Sequence, residues 1–167
     1  MRQLMGEYRS RQIPCLAFHP NPSEFEGYAS DVYLQVGPFM QAVFESSRCA
    51  VFIDESGEVT SPARIQETAP LATRTRCRGH VVHFAAQRCQ GLIGPIARDQ
   101  CTRLYLFRVS WDDARLIAKD WARDAESLAL MQRAPSFEAG EYVAVQRFPW
   151  KCELRRLDFR QLYGGAA

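Results

Sequence analysis

The sequence lacks any long apolar run. No stretch of its 167 residues approaches the about 20 apolar residues that a membrane-spanning helix needs. Residues 1–12 are charged and lack the apolar core of a secretory signal peptide. These absences predict that the protein has no membrane partner. They favour a cytoplasmic location, either in the producing cell or in a host cell to which a specialised secretion machine delivers the protein.

Closely spaced cysteine pairs are also missing. The six cysteines form no CxxC motif, a pattern that favours reduced thiols over a disulfide framework. Cys77, His80, His83 and Cys89 together have the residue types of a zinc site. Residues three apart on a strand point to opposite faces, so His80 and His83 are not expected to face one ion. The sequence therefore predicts no metal site.

Signatures of common enzyme classes are absent as well. The sequence has no GxSxG, HExxH, GxGxxG or GxxxxGK[ST] motif. These patterns mark serine hydrolases, zinc proteases, dinucleotide-binding folds and phosphate-binding loops, respectively. Lysine is scarce, since Lys119 and Lys151 are the only lysines among 21 basic residues. No activity follows from a single motif.

The charge is small overall but unevenly distributed. A net charge of +2 excludes a histone-like electrostatic binder. Residues 1–70 have a balance of −4, whereas residues 71–167 have a balance of +6. A basic second half is compatible with nucleotide phosphates or nucleic acid as ligands, and equally with a solvated helix face.

Length and residue patterning predict the fold class. We expect one globular α+β domain over residues 1–167, with a mixed or split antiparallel sheet packed against one long helix and short helices. Residues 1–12 are a candidate flexible segment. Strands are predicted at 15–18, 49–54, 80–86, 104–109, 142–148 and 152–159.

The long helix has the clearest sequence pattern. It is predicted over residues 112–133, with Ser110 as its N-terminal cap and Pro135 after its end. Its apolar face toward the sheet is predicted to comprise Ile117, Trp121, Ala125 and Leu128.

Two carboxylates precede the strand predicted at residues 142–148. Glu138 and Glu141 are separated by two residues. A carboxylate at the start of a strand, opposite a cleft, can bind a sugar hydroxyl or stabilise a developing cation. The alternative is an exposed turn with ordinary solvated acids.

The order of elements resembles that of the ADP-ribosyltransferase superfamily. Residues 78–86, a short helix after them, residues 104–109 and residues 140–145 follow the family's strand order, and residues 17–20 resemble its first strand. The resemblance implies an NAD-dependent transferase, a bacterial effector or toxin that modifies a protein or nucleic-acid target. It implies that Glu141 stabilises the oxocarbenium-like state as nicotinamide leaves. It also implies that Glu138 orients or deprotonates the acceptor.

The resemblance also implies a set of NAD-binding residues. His19 would bond the nicotinamide ribose, and Phe84 would pack on the nicotinamide ring beside His83. Arg74 or Arg78 would meet the pyrophosphate. The chain departs from the family at residues 83–86, His-Phe-Ala-Ala, which lack the usual hydroxyl.

Two other functions compete with the transferase hypothesis. One is a non-enzymatic interaction or inhibitor protein, favoured by a compact chain without a strong catalytic signature. The other, less favoured, is a nucleic-acid binder using residues 147–151 and 155–160, where basic and aromatic residues alternate.

Overall fold

The chain forms two compact units. The computed structural model describes residues 1–54, 59, 65–87 and 95–157. The first unit comprises the described residues up to 87 together with 95–100, and the second comprises residues 101–157. The α+β class predicted from the sequence is confirmed. The single domain over residues 1–167 stays a prediction.

The first unit is built on a four-stranded parallel sheet. Its strands are β1 (Cys15–Phe18), β2 (Asp31–Tyr33), β3 (Ala50–Ile53) and β4 (Val81–Phe84), in the order β2-β1-β3-β4. All residues of β1 and β3 are buried. Central strands of a parallel sheet are covered on both faces and therefore show continuous apolar runs, as these two do. Parallel pairing replaces the mixed or antiparallel sheet expected here.

Helices cover both faces of the parallel sheet. Helix α1 (Arg2–Ser10) packs through the fully buried Met5 against Phe52 on one face. Helix α2 (Val36–Glu45) packs on the opposite face through its own apolar side chains. Helices α3 (Ile65–Thr73) and α4 (Pro95–Gln100) complete the unit. Residues 2–10, within the candidate flexible segment, are thus helical.

The second unit combines a three-stranded antiparallel sheet with two helices. Strands β5 (Arg103–Leu106), β6 (Glu141–Gln146) and β7 (Lys151–Arg156) pair in the order β5-β6-β7. Helices α5 (Trp111–Trp121) and α6 (Ala125–Gln132) contribute to the same buried core. The predicted short helix after residue 86 and the last residues of the strand predicted at 152–159 lie partly outside the described residues.

The helix predicted over residues 112–133 is two helices. Ser110 caps the first as expected, since its hydroxyl accepts the Asp113 N–H at 3.2 Å. Ala122 then adopts an extended backbone, and Asp124 begins a new helix. The predicted apolar face ends with the first helix. Ile117 and Trp121 are buried, whereas Ala125 and Leu128 are exposed.

A capping box explains the break. The Asp124 carboxylate accepts the Ser127 N–H at 2.7 Å, and the Ser127 hydroxyl accepts the Asp124 N–H at 3.2 Å. Such reciprocal bonds satisfy the unpaired amides at a helix start. They favour a new helix beginning at this point over continuation of the preceding one.

The Asp124 cap should make stability depend on pH. Hydrogen bonds from Ser127 are the main cause that lowers the pKa of Asp124 below its ordinary value. A depressed folded-state pKa contributes stability above the unfolded-state pKa, and this is lost as pH falls through the folded value. Asn at this position also caps but does not titrate. We expect wild type to lose urea resistance relative to Asp124→Asn from about pH 4 downward. A constant difference between the two proteins from pH 7 to acid would contradict this.

None of the helices in the described ranges is both long enough and apolar enough to cross a membrane.

Candidate functional site

The carboxyl edge of the parallel sheet brings polar side chains together. The connection after β1 leads to β2 on one side, whereas the connection after β3 leads to β4 on the other. Such a reversal opens a crevice at the carboxyl ends of the two strands, where α/β folds bind their ligands. His19 directly follows β1 and Asp54 directly follows β3. The candidate site is this crevice.

His19 and Asp54 contact each other at the carboxyl edge of the sheet. The Nε2 atom of His19 lies 3.3 Å from Oδ2 of Asp54. The Nδ1 atom accepts the N–H of Asn21 at 2.8 Å, so Nε2 carries the proton and donates it toward the carboxylate. The ring of Phe25 packs edge-on against the imidazole, with ring centroids 4.8 Å apart. His19 is thereby fixed with its N–H directed at Asp54.

The N-terminus of α1 lies at the same edge. Burial lowers the pKa of the Met1 amino group, and the nearby Asp54 carboxylate partly opposes this effect. The Arg2 guanidinium pairs with the Glu24 carboxylate and donates from Nε to the Glu24 carbonyl at 2.8 Å. These contacts tie the helix start to the loop after β1. The first amides of a helix have no partner within the helix and favour anions.

This arrangement suits a metal–phosphate ligand. Mg²⁺ in proteins is usually held by one or two carboxylates together with substrate phosphates and water. Asp54 supplies the carboxylate, and the start of α1 supplies amides for phosphate oxygens. No group of three or more metal-ligating side chains occurs within the described ranges, so the residues fit a shared Mg²⁺–phosphate site better than a metal site made of protein alone.

The sequence holds a signal for this site that our sequence interpretation missed. Four apolar residues, Ala50–Ile53, are followed by Asp54 and Glu55. A buried strand ending in an acid is the pattern by which P-loop NTPases hold Mg²⁺. We predicted this strand but assigned no role to the acids at its end. Glu55 lies outside the described residues.

The phosphate-binding loop that usually accompanies such an acid has no counterpart in the sequence. P-loop NTPases hold phosphates with a GxxxxGK[ST] loop and its lysine. That motif is absent from the sequence. Lys119 and Lys151 both belong to the second unit. The first unit therefore offers backbone amides and arginines, but no lysine, to a phosphate.

The predicted NAD-binding residues are not brought together. His83 and Phe84 are neighbours on β4 and therefore face opposite sides of the sheet. The His83 ring stacks on Phe52 at 4.7 Å, and its Nε2 lies 3.0 Å from the Tyr8 hydroxyl under α1. Phe84 packs into the core on the other face, with residues such as Phe18. One nicotinamide ring cannot contact both side chains.

Arg74 and Arg78 lie at the opposite end of the sheet from Asp54. Both are exposed and precede β4. The Arg78 carbonyl accepts the N–H of Arg48, which precedes β3, at 2.9 Å. This bond places Arg78 at the amino edge, whereas His19 and Asp54 lie at the carboxyl edge. These arginines cannot meet a pyrophosphate bound beside His19.

Glu138 and Glu141 belong to the second unit. Glu141 begins β6, close to its predicted place at the start of a strand, after Gly140 turns the chain with a φ of 84°. Its carboxylate accepts the Glu138 N–H at 2.9 Å. Glu138 is exposed and pairs with Arg156 at 3.1 Å. Both acids therefore belong to a turn, which is the alternative to a catalytic pair that the sequence left open.

The buried His80 has a structural role. Its Nδ1 accepts the Cys49 N–H at 3.1 Å, so its Nε2 donates to the Val43 carbonyl at 3.0 Å. With both ring nitrogens engaged, His80 has no lone pair for a metal. Cys89, the last member of the tested zinc group, lies outside the described residues.

Comparisons with known proteins identify the fold. No family model and no curated protein matches the chain. The structure is similar to the genome packaging NTPase B204 from Sulfolobus turreted icosahedral virus 2. Against its complex with sulfate, the TM-score is 0.73 at 14% identity over 94% of this chain and 88% of that chain. Against its complex with AMPPCP, the TM-score is 0.71 at 15% identity over 93% and 88%.

A third structure supports the same conclusion. The DNA-packaging ATPase B204 from Sulfolobus Turreted Icosahedral Virus matches with a TM-score of 0.69 at 12% identity, over 93% of this chain and 88% of that chain. Identities this low establish the fold alone.

These findings correct the predicted function. The ADP-ribosyltransferase activity and the effector or toxin role are wrong, because the similar structures are packaging NTPases and the proposed NAD-binding side chains lie apart. NAD is wrong as the ligand, because the similar structures bind AMPPCP or sulfate. The alternative of an inhibitor protein finds no support either. The chain shares its fold with viral genome-packaging NTPases.

Proposed function

We propose that this chain is a nucleotide-binding domain of the packaging-NTPase type, which binds an adenine nucleotide with Mg²⁺ at the carboxyl edge of its parallel sheet. The observation that supports this most directly is the position of Asp54, which follows the central strand β3 and lies 3.3 Å from His19 at the carboxyl edge. The AMPPCP bound in a structure of the same fold supports the ligand class.

The residues at the carboxyl edge of the parallel sheet have different roles in this binding. Asp54 provides the carboxylate ligand for the metal, which would neutralise charge on the nucleotide phosphates. His19 donates to Asp54 and holds the carboxylate in one orientation, as partners of metal ligands commonly do. The first amides of α1 would donate hydrogen bonds to the phosphate oxygens.

We expect binding without measurable hydrolysis by this chain alone. In P-loop NTPases a lysine contacts the β- and γ-phosphates and stabilises the transferring group. The sequence supplies neither that lysine nor its loop. DNA is the macromolecular partner we propose, because B204 is a DNA-packaging ATPase. The cytoplasmic location stays a prediction.

The test is to measure the affinity for AMPPCP by titration calorimetry, once with Mg²⁺ and once with a chelator. In wild type, Mg²⁺ should strengthen binding, and Asp54→Asn should weaken the Mg²⁺-dependent affinity by at least about tenfold. Without Mg²⁺ the variant should bind as well as wild type or better, because a carboxylate that repels phosphate has been removed.

Asp31→Asn is the matched control. Asp31 is an exposed acid at the start of β2, at the amino edge of the same sheet, so this variant should bind like wild type. Absence of binding by wild type at millimolar AMPPCP, or equal Mg²⁺ dependence in Asp54→Asn, would overturn the proposal.

A further inference from the structure

Among the described residues, one face of the antiparallel sheet in the second unit carries mostly exposed or half-buried side chains. Side chains alternate along each strand, and Val143 and Val145 of β6 point into the core. The intervening residues and their cross-strand partners point outward. This outward surface is termed the aromatic face. It comprises Arg103, Tyr105, Tyr142, Ala144, Gln146, Lys151, Glu153 and Arg155, together with Phe107, which follows β5 and stacks on Tyr142.

The aromatic rings of this face contact one another and form a cluster, termed the platform. Tyr105 is 49% exposed and Phe107 is 43% exposed. The Phe107 and Tyr142 rings stack with centroids 5.1 Å apart, and Tyr105 lies 6.2 Å from Tyr142. Exposed aromatic side chains that contact one another on a sheet are unusual unless a partner covers them.

The platform is bordered by positive charge. Arg155 is the cross-strand partner of Tyr142 and pairs with Glu153 at 2.8 Å, and Lys151 pairs with the same carboxylate at 2.7 Å. One acid thus serves two cations. Arg103 adds a third cation beside Tyr105 on the edge strand β5. The aromatic face has a net charge of +2.

We propose that the aromatic face binds single-stranded DNA, with bases stacked on Tyr105, Phe107 and Tyr142 and phosphates beside Arg103 and Arg155. Proteins that bind single strands combine such aromatic platforms with cations along the backbone. A duplex hides the faces of its bases, so a single strand fits this surface better. The choice of DNA rests on the proposed function, whereas the platform and its charge do not.

The charge also disfavours a second copy of this chain as the occupant. In a two-fold dimer the same surface meets itself. The positive aromatic face would then oppose an identical positive face, and like charges in contact are unfavourable. A polyanion neutralises the charge instead.

The test is fluorescence anisotropy of a labelled oligothymidine of about 20 nucleotides, without nucleotide present. Tyr105→Ala should weaken binding by about fivefold or more, as expected for the loss of one stacked base. Tyr105→Phe keeps the ring and should bind like wild type. Arg103→Ala should reduce the slope of log affinity against log salt by about 0.7.

Tyr28→Ala is the matched control. Tyr28 is 42% exposed, and the Arg2 guanidinium carbon lies 5.8 Å from the centroid of its ring. Unlike Tyr105, Tyr28 belongs to the first unit. This variant should bind DNA like wild type. Asp54→Asn should also do so, which separates failure of the aromatic face from failure of the nucleotide site.

Three outcomes would overturn the proposal. The first is unchanged DNA affinity in Tyr105→Ala and Arg103→Ala. The second is tighter binding of a duplex of the same length than of the single strand. The third is a dimer in sedimentation that Tyr105→Ala dissociates while DNA binding stays the same, since the face would then join two copies.

Discussion

Replacing Phe52 with alanine should lower the free energy of unfolding by about 3–5 kcal/mol. Phe52 is fully buried on the central strand β3. Its ring stacks on His83 at 4.7 Å and meets the edge of Tyr8 at 6.0 Å. Truncation would leave a cavity between the sheet and α1.

Urea denaturation followed by far-UV circular dichroism measures this effect. The three tryptophans all belong to the second unit, so their fluorescence does not report directly on the site of the change. Phe148→Ala is the control, because that ring is 71% exposed and its truncation should cost much less. An unchanged midpoint in Phe52→Ala would show that α1 does not pack on this face of the sheet.

Local patterns predicted three of the four strands of the first unit, but neither β2 nor the pairing of the strands. The strands expected at residues 15–18, 49–54 and 80–86 correspond to β1, β3 and β4. Their parallel register depends on crossover connections that no short window contains. Continuous apolar runs such as those of β1 and β3 are the signature of parallel sheets. The sequence therefore contained evidence for parallel pairing that we did not weigh.

The break in the predicted long helix was also present in the sequence. Asp124 and Ser127 have the spacing of a capping box. Apolar periodicity through Trp121, Leu128 and Met131 outweighed that local signal in our prediction. Apolar periodicity in a sequence cannot by itself distinguish one helix from two consecutive helices.

The predicted function was wrong because the order of elements along a chain is weak evidence for chemistry. Many folds alternate strands and helices, and function depends on the site rather than the fold. Glu141 does begin a strand, yet its carboxylate closes a turn with the Glu138 N–H. Asp54 was passed over because nothing local shows that β1 and β3 are adjacent, and that adjacency brings His19 to Asp54.

Replacing Trp121 with alanine should also lower the free energy of unfolding by about 3–5 kcal/mol. Trp121 is the last residue of α5 and is only 4% exposed within the core of the second unit. The Arg147 guanidinium lies 4.0 Å from the centroid of its ring. Truncation would therefore remove both core packing and a cation–π contact between α5 and the end of β6.

A pair of comparisons separates the two contributions of Trp121. Arg147→Ala removes the cation but keeps the ring, and should cost about 0.5–2 kcal/mol. Trp111→Ala, at the first residue of the same helix, truncates a side chain that is 62% exposed and should change stability by less than either. Chemical denaturation at neutral pH gives all three values. If Trp111→Ala proved as damaging as Trp121→Ala, α5 would pack through a different face, and the core beneath the aromatic face would have to be reassigned.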